Sequence, residues 1–306
     1  MKQEKVIITR PLGLRILIIA MLLFALLLIS SCVALILEFT DTGALATGNV
    51  AIIPIEGVIT STGDSWDGAV ADDIVDMLER ARTDDSIEAV VLEINSPGGS
   101  AVASDEIGSA VKKLRTENKT VVAWIREMGA SGGYWVASAS DHIVANRMSI
   151  TGSIGVIGSG FGFEEFIDDW NVTYRRLVAG ERKDLGTPWR AMTKDEEQFM
   201  QAKLDAIHEV FIDEIATNRN MGKEDVRSLA TGEFFLGSEA KEAGLVDELG
   251  GLDEALAFIE EREDIAAETV WYEPERSWTD LLAGIRAGQD PMKALEQKGT
   301  QKIALE

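Results

Sequence analysis

Histidine is nearly absent from this chain, with His142 and His208 as its two examples. An imidazole is the usual base that takes the proton from a nucleophilic hydroxyl, so hydrolysis of that kind has almost no candidate base here. Cysteine is scarcer still: Cys32 stands alone, inside an apolar run. The rest of the chain therefore lacks disulfides, zinc thiolates and a cysteine nucleophile, and its stability rests on packing. Positive charge is also short, at 29 Lys and Arg against 52 Asp and Glu, for a net charge of -23. Phosphate binding needs a basic surface, which excludes nucleic acid as an expected partner.

What the chain does have is a long uncharged stretch, Ile16 to Leu37. As a helix it reaches about 33 Å, enough for a bilayer. Lys2, Lys5, Arg10 and Arg15 precede it, while Glu38 and Asp41 follow. The positive-inside rule then predicts a cytoplasmic N-terminus (1–15), a retained transmembrane helix (16–37), a tether (38–48) and a domain outside the cell membrane. Ile29-Ser30-Ser31-Cys32 is similar to a bacterial lipobox, whose cysteine carries lipid. The apolar continuation from Val33 to Leu37 favours reading Cys32 as a helix residue instead.

From Asn49, apolar strand-like runs alternate with helix-like ones. Val50–Ile55, Ala89–Ile94, Val121–Ile125 and Ile143–Ala145 read as strands, and Ala71–Arg82, Ser104–Leu114 and Gly132–Ser138 as helices. The near-continuous apolar strands imply a sheet covered on both faces, so the spacing predicts an α/β domain over 49–270. A further strand is expected over Val172–Val178. A long helix is expected over Lys194–Thr217, with Thr193 and Glu196 as its capping box. Residues 271–306 read as an extension, partly helical, with Trp278, Leu281, Leu282 and Ile285 on one face.

Three glycine-rich turns carry the chemistry. Ser96-Pro97-Gly98-Gly99 follows a strand and presents backbone N–H groups suited to an oxyanion hole, although alone it is also an ordinary turn. Gly129-Ala130-Ser131-Gly132-Gly133 repeats that layout, with small neighbours that let a carbonyl approach the serine. Ser131 by itself reads equally well as a helix cap. Thr151-Gly152-Ser153-Ile154-Gly155-Val156 is the third. A dinucleotide fingerprint running on from it fails at Phe163, where the pattern requires glycine. Lys183, in Arg182-Lys183-Asp184, is one of several lysines that desolvation could convert into a base.

In their order these pieces resemble the signal peptide peptidase A family of membrane-anchored Ser/Lys proteases, short form. The likeness covers roughly Val50 to Glu261 and includes the GASGGYWVASASD segment and the ending GEFFLGSEAKEAGLVDELGGLDEAL. It implies a crotonase/ClpP-like fold of repeated ββα units. By the same resemblance Ser131 is the nucleophile, Lys183 its general base, Ser153 the hydroxyl that orients the lysine, and Gly98 an oxyanion donor. Gly132 is inferred as a second donor by analogy with related folds. No metal or cofactor is implied. Short members build their sites from neighbouring subunits, which implies a ring-shaped homo-oligomer. The implied substrates are cleaved signal peptides left in the membrane. A related protease acting on a partner membrane protein, and a non-catalytic membrane-tethered scaffold, are the alternatives.

Overall fold

The computed structural model describes residues 19–31, 48–62 and 68–274. The chain divides into two units, Met1–Thr47 and Gly48–Glu306. In the first, residues 19–31 form a helix, α1, with exposed side chains. It occupies the middle of the apolar run 16–37. The ends of that run, Cys32, the basic residues before it and the tether to residue 47 lie outside the described residues, as does the extension beyond 274. Among the described residues no helix is long and apolar enough to cross a membrane.

The second unit opens with β1 (Val50–Glu56), β2 (Val58–Thr60), β3 (Gly68–Val70) and α2 (Ala71–Thr83). Next come β4 (Ala89–Ser96), α3 (Ala101–Thr116), β5 (Thr120–Ala130), α4 (Gly132–Ser138), β6 (His142–Ala145) and β7 (Ile150–Gly152). After α5 (Glu164–Asp169), α6 (Lys194–Asn218) and α7 (Lys223–Leu229), the chain closes with β8 (Phe234–Leu236), α8 (Gly237–Glu242), β9 (Glu248–Leu249), α9 (Leu252–Glu263) and β10 (Thr269–Trp271). The main sheet runs β10-β1-β4-β5-β6-β9, with every neighbouring pair parallel. β7 branches from the far end of β5 and pairs antiparallel with β8, while β2 and β3 form a separate parallel pair. This parallel-dominated α/β sheet fits the expected crotonase/ClpP-like architecture.

The apolar pattern explains the layers. β1, β4 and β5 are buried on both faces because alternate residues enter two cores. Ile53, Leu92 and Ala123 face one core with Ile74, Met77 and Leu78 of α2 and Ile107, Val111 and Leu114 of α3, side chains that recur at helical spacing. Val50, Ile52, Val91, Val122 and Val144 face the other, covered by Ala255 and Ile259 of α9. The Thr193–Glu196 capping box forms as expected at the start of α6. The expected strand over Val172–Val178 does not form. No sheet edge reaches it, and its side chains point outward, Leu177 being 96% exposed. The apolar pair Leu245 and Val246 enters the core from a bend, and the short strand lies just after it.

Candidate active site

β5 pairs with β4 on one side. On the other it pairs with β6 through Val122–Ile125 and then with β7 through Met128–Ala130. The register against β4 shifts between Ile94 and Ser96, which brings the turn after β4 beside the end of β5. Ser131 sits where β5 gives way to α4, with φ 53° and ψ -120°. A non-glycine residue in that region is strained by roughly 1–3 kcal/mol. Its backbone is fixed at both ends: its N–H donates to the Gly152 carbonyl at 2.8 Å, and its carbonyl accepts from the Trp135 N–H at 2.9 Å. Its side chain does not cap α4 and has no hydrogen-bond partner among the described residues. The cap reading of this serine is thereby replaced: the hydroxyl is half-buried and unengaged.

The Ser96–Gly99 turn lies against the serine. A Cβ on Gly98, whose φ is +91°, would stand 2.5 Å from the Gly132 nitrogen and 3.0 Å from the Ser131 Cβ. On Gly132 it would overlap the Ser104 hydroxyl, and on Gly133 it would come within 2.8 Å of the Ser96 carbonyl. Glycine is required at these positions because two backbone turns and α3 meet with no room for side chains. The expectation that Gly98 offers a free N–H is not met. That N–H donates to Ser96 Oγ at 3.1 Å, and the Gly98 carbonyl accepts from the Ile59 N–H at 2.9 Å. By contrast, the N–H groups of Gly99 and Gly132 have no acceptor among the described residues. The Gly99 nitrogen lies 3.2 Å from where a Gly132 Cβ would be, so these two donors are neighbours at the serine.

Ser153 follows β7 in a left-handed conformation, φ 50°. Its N–H donates to the Glu233 carbonyl at 2.9 Å, and its hydroxyl to the Gly232 carbonyl at a long 3.3 Å. Lys183 lies in a turn over residues 181–186, exposed, and its ammonium has no hydrogen-bond or ion-pair partner among the described residues. Within one chain, then, no bond joins Lys183 to Ser131 or Ser153. The turn itself is tied down next door. Asp184 accepts from Arg176 at 2.7 Å and from Arg190 at 2.9 Å, and Arg190 also grips Glu196 through two bonds of 2.7 and 2.8 Å. These guanidinium bonds hold the Asp184 carboxyl well below the usual carboxylate range and lower Glu196 to about 2.

Neither histidine is bonded to Ser131 or Lys183. The His142 ring stacks on Phe258 at 3.9 Å with Nε2 3.3 Å from Glu248, and His208 lies on α6. Within α4, Tyr134 donates to the Leu245 carbonyl at 2.8 Å, and burial pushes its phenol above the ordinary range. Ser104 at the site was not singled out from the sequence, and within the Ser96–Gly99 turn only Gly98 was assigned as the donor. The doubled glycine after Ser96 was the available signal, yet which of its two N–H groups is free depends on a hydroxyl two residues earlier.

The model described as Peptidase family S49 matches residues 113–266. A putative protease of Methanocaldococcus jannaschii is 33% identical over 192 residues, covering 63% of this chain and 61% of that protein. Protease 4 of Haemophilus influenzae is 33% identical over 223 residues, 72% of this chain and 36% of its own. A putative signal peptide peptidase SppA of Enterococcus faecium is 30% identical over 237 residues, 76% of this chain and 69% of its own. The chain thus spans less than two thirds of the length of the first two.

Proposed function

The chain belongs to peptidase family S49, and on that premise we propose that it is a serine endopeptidase whose nucleophile is Ser131 and whose general base is Lys183. The observation that carries the reading is the placement of the unengaged Ser131 hydroxyl at a strained strand-to-helix turn beside the free N–H groups of Gly99 and Gly132. As the Ser131 oxygen attacks a peptide carbonyl, neutral Lys183 takes its proton. The negative charge that develops on the carbonyl oxygen is held by the two backbone donors, each worth about 2.7–4 kcal/mol. Lysine then protonates the leaving amine, and water activated by the same lysine releases the acyl group from Ser131.

The lysine comes from a neighbouring copy in this reading. Lys183 has no partner among the described residues of its own chain, and the segment around it exposes Ile157, Phe161, Trp170 and Leu177, between 71% and 96% accessible. Exposed apolar surface of that kind is what a second copy covers. Ser153, whose hydroxyl makes one long bond to Gly232, is free to orient an incoming ammonium.

The substrates in this proposal are membrane-derived peptides, signal peptides above all, a reading supported by the relative named for that activity and by the apolar run 16–37. That run anchors the protein, and the basic residues before it keep the N-terminus cytoplasmic with the peptidase domain outside.

The test combines labelling with complementation. A serine-directed acylating reagent modifies Ser131, and Ser131→Ala and Lys183→Ala are each inactive against synthetic signal peptides. Mixing the two inactive variants and reassembling them restores about a quarter of wild-type activity, since one site in four then pairs an intact serine with an intact lysine from its neighbour. Full activity in either single variant removes the dyad. Absence of any recovery on mixing removes the shared site.

A further inference from the structure

The turn behind the oxyanion donors contains a fully buried hydroxyl that the mechanism does not use. Ser96 is inaccessible to solvent. Its hydroxyl donates to the Gly57 carbonyl at 2.6 Å and accepts from the Gly98 N–H at 3.1 Å. Its carbonyl and Cβ lie 2.8 and 3.4 Å from where a Gly133 Cβ would be. One side chain thus joins the corner after β1, the turn after β4 and the helix that follows the nucleophile.

We infer that Ser96 is a positioning residue for the oxyanion site: by engaging the Gly98 N–H it turns that group away from the reacting carbonyl and leaves the Gly99 N–H as the donor that pairs with Gly132. The geometry supports each step. A peptide unit is planar, so the orientations of successive N–H groups in a tight turn are coupled through the intervening dihedrals. Gly98, at φ +91°, and Gly99, at φ +159°, lack a Cβ and have wide conformational freedom. A glycine pair of this kind does not hold one orientation by itself. Three contacts supply the constraint: the Ser96 hydroxyl on the Gly98 N–H, the Ile59 N–H on the Gly98 carbonyl at 2.9 Å, and the Ile59 carbonyl accepting from the Ser100 N–H at 2.8 Å. Two of the three are made by strand backbone and survive any side-chain change. Ser96 is the one that a substitution removes. Its loss leaves the Gly98 N–H without an acceptor and free to swing, so two N–H groups compete for the place that Gly99 holds alone.

This inference rests on the serine peptidase reading, and the experiment separates the two. In the full-length protein, Ser96→Ala is expected to lower kcat about 100-fold, the usual scale for a donor displaced by an ångström, with KM changed less than twofold. Affinity for a peptide aldehyde, whose adduct carries the tetrahedral oxygen, falls in parallel with kcat. Ser96→Thr, which keeps the hydroxyl, recovers more than half of the lost rate. An unchanged kcat, or a loss confined to KM, overturns the role of Ser96 while wild-type activity leaves the peptidase reading intact; an inactive wild type, unlabelled at Ser131, overturns that reading itself. If Ser96→Ala does not fold, the wild-type peptide boronate adduct decides. Its oxygen lies within about 3.1 Å of the Gly99 and Gly132 nitrogens, and an oxygen bound by the Gly98 nitrogen instead overturns the inference.

Discussion

Ser131 is held in a conformation that serine does not favour, and the strain is tied to its exposure. At φ 53° the side chain clears the first turn of α4 and leaves its hydroxyl free, whereas relaxation to an ordinary helix cap would spend the hydroxyl on the backbone. Replacing Ser131 by glycine is therefore predicted to stabilise the fold by about 1 kcal/mol, because glycine adopts this region without strain. The same change removes the nucleophile. Differential scanning calorimetry should show a melting temperature raised by roughly 2–4 °C alongside undetectable peptidase activity; a lower melting temperature would contradict the strain. At this scale the serine was legible because small residues crowd around it in the sequence. Which N–H of the Gly98-Gly99 pair stays free was not, since a hydrogen bond between the Gly98 N–H and a hydroxyl two residues back leaves no compositional trace.

The lysine loop and α6 form the next level. Arg190 bonds both Asp184, beside Lys183, and Glu196, in the first turn of α6, so a single guanidinium fixes the loop to the helix. Exposed pairs contribute little singly, but this network joins two arginines to two carboxylates that are themselves poorly accessible. Arg190→Ala is predicted to loosen the loop, lower kcat about tenfold and open the segment between Arg176 and Arg190 to trypsin. Its pH dependence has a definite sign. Both carboxylates are lowered in the folded state, so their contribution is complete above the ordinary carboxylate range. It declines as the pH falls below about 4 and is lost as Glu196 protonates near 2. Resistance of the loop to an acid-active protease should therefore hold down to about pH 5 and fall only toward pH 2; a loss between pH 7 and 6 would exclude this network as its cause. The helix of this pair was plain in the sequence from its capping box. The apolar residues of the neighbouring segment Val172–Val178 suit a strand, but a strand needs a partner and the sheet has none to offer there.

For the molecule as a whole, the exposed apolar segment decides more than the acidic charge does. Leu177 and Trp170 stand in water in the isolated chain, and in the proposed assembly they are covered by the next copy. Leu177→Asp is predicted to dissociate the assembly and abolish activity while leaving the melting temperature of the separated domain within about 2 °C of its wild-type counterpart. Analytical ultracentrifugation in detergent reads the first effect, peptide cleavage the second. An active monomer would remove the need for a neighbouring lysine.

The sequence alone determined the α/β class, the two-sided burial of β1, β4 and β5, the capping box of α6 and the candidacy of Ser131. Each of these depends on residues close together in the chain, through the period of apolar side chains or the small size of neighbours. Tertiary structure alone decided which backbone N–H groups remain free at the serine, that the Ser131 hydroxyl is not a cap, and that Lys183 lies without a partner among the described residues of its own chain. Those outcomes turn on where separate turns meet in space. The turn that holds Ser96 and Gly98 and the turn that holds Ser131 lie in different parts of the sequence, and they meet only when the parallel register of β4 and β5 brings the two glycine-rich turns together at the ends of adjacent strands.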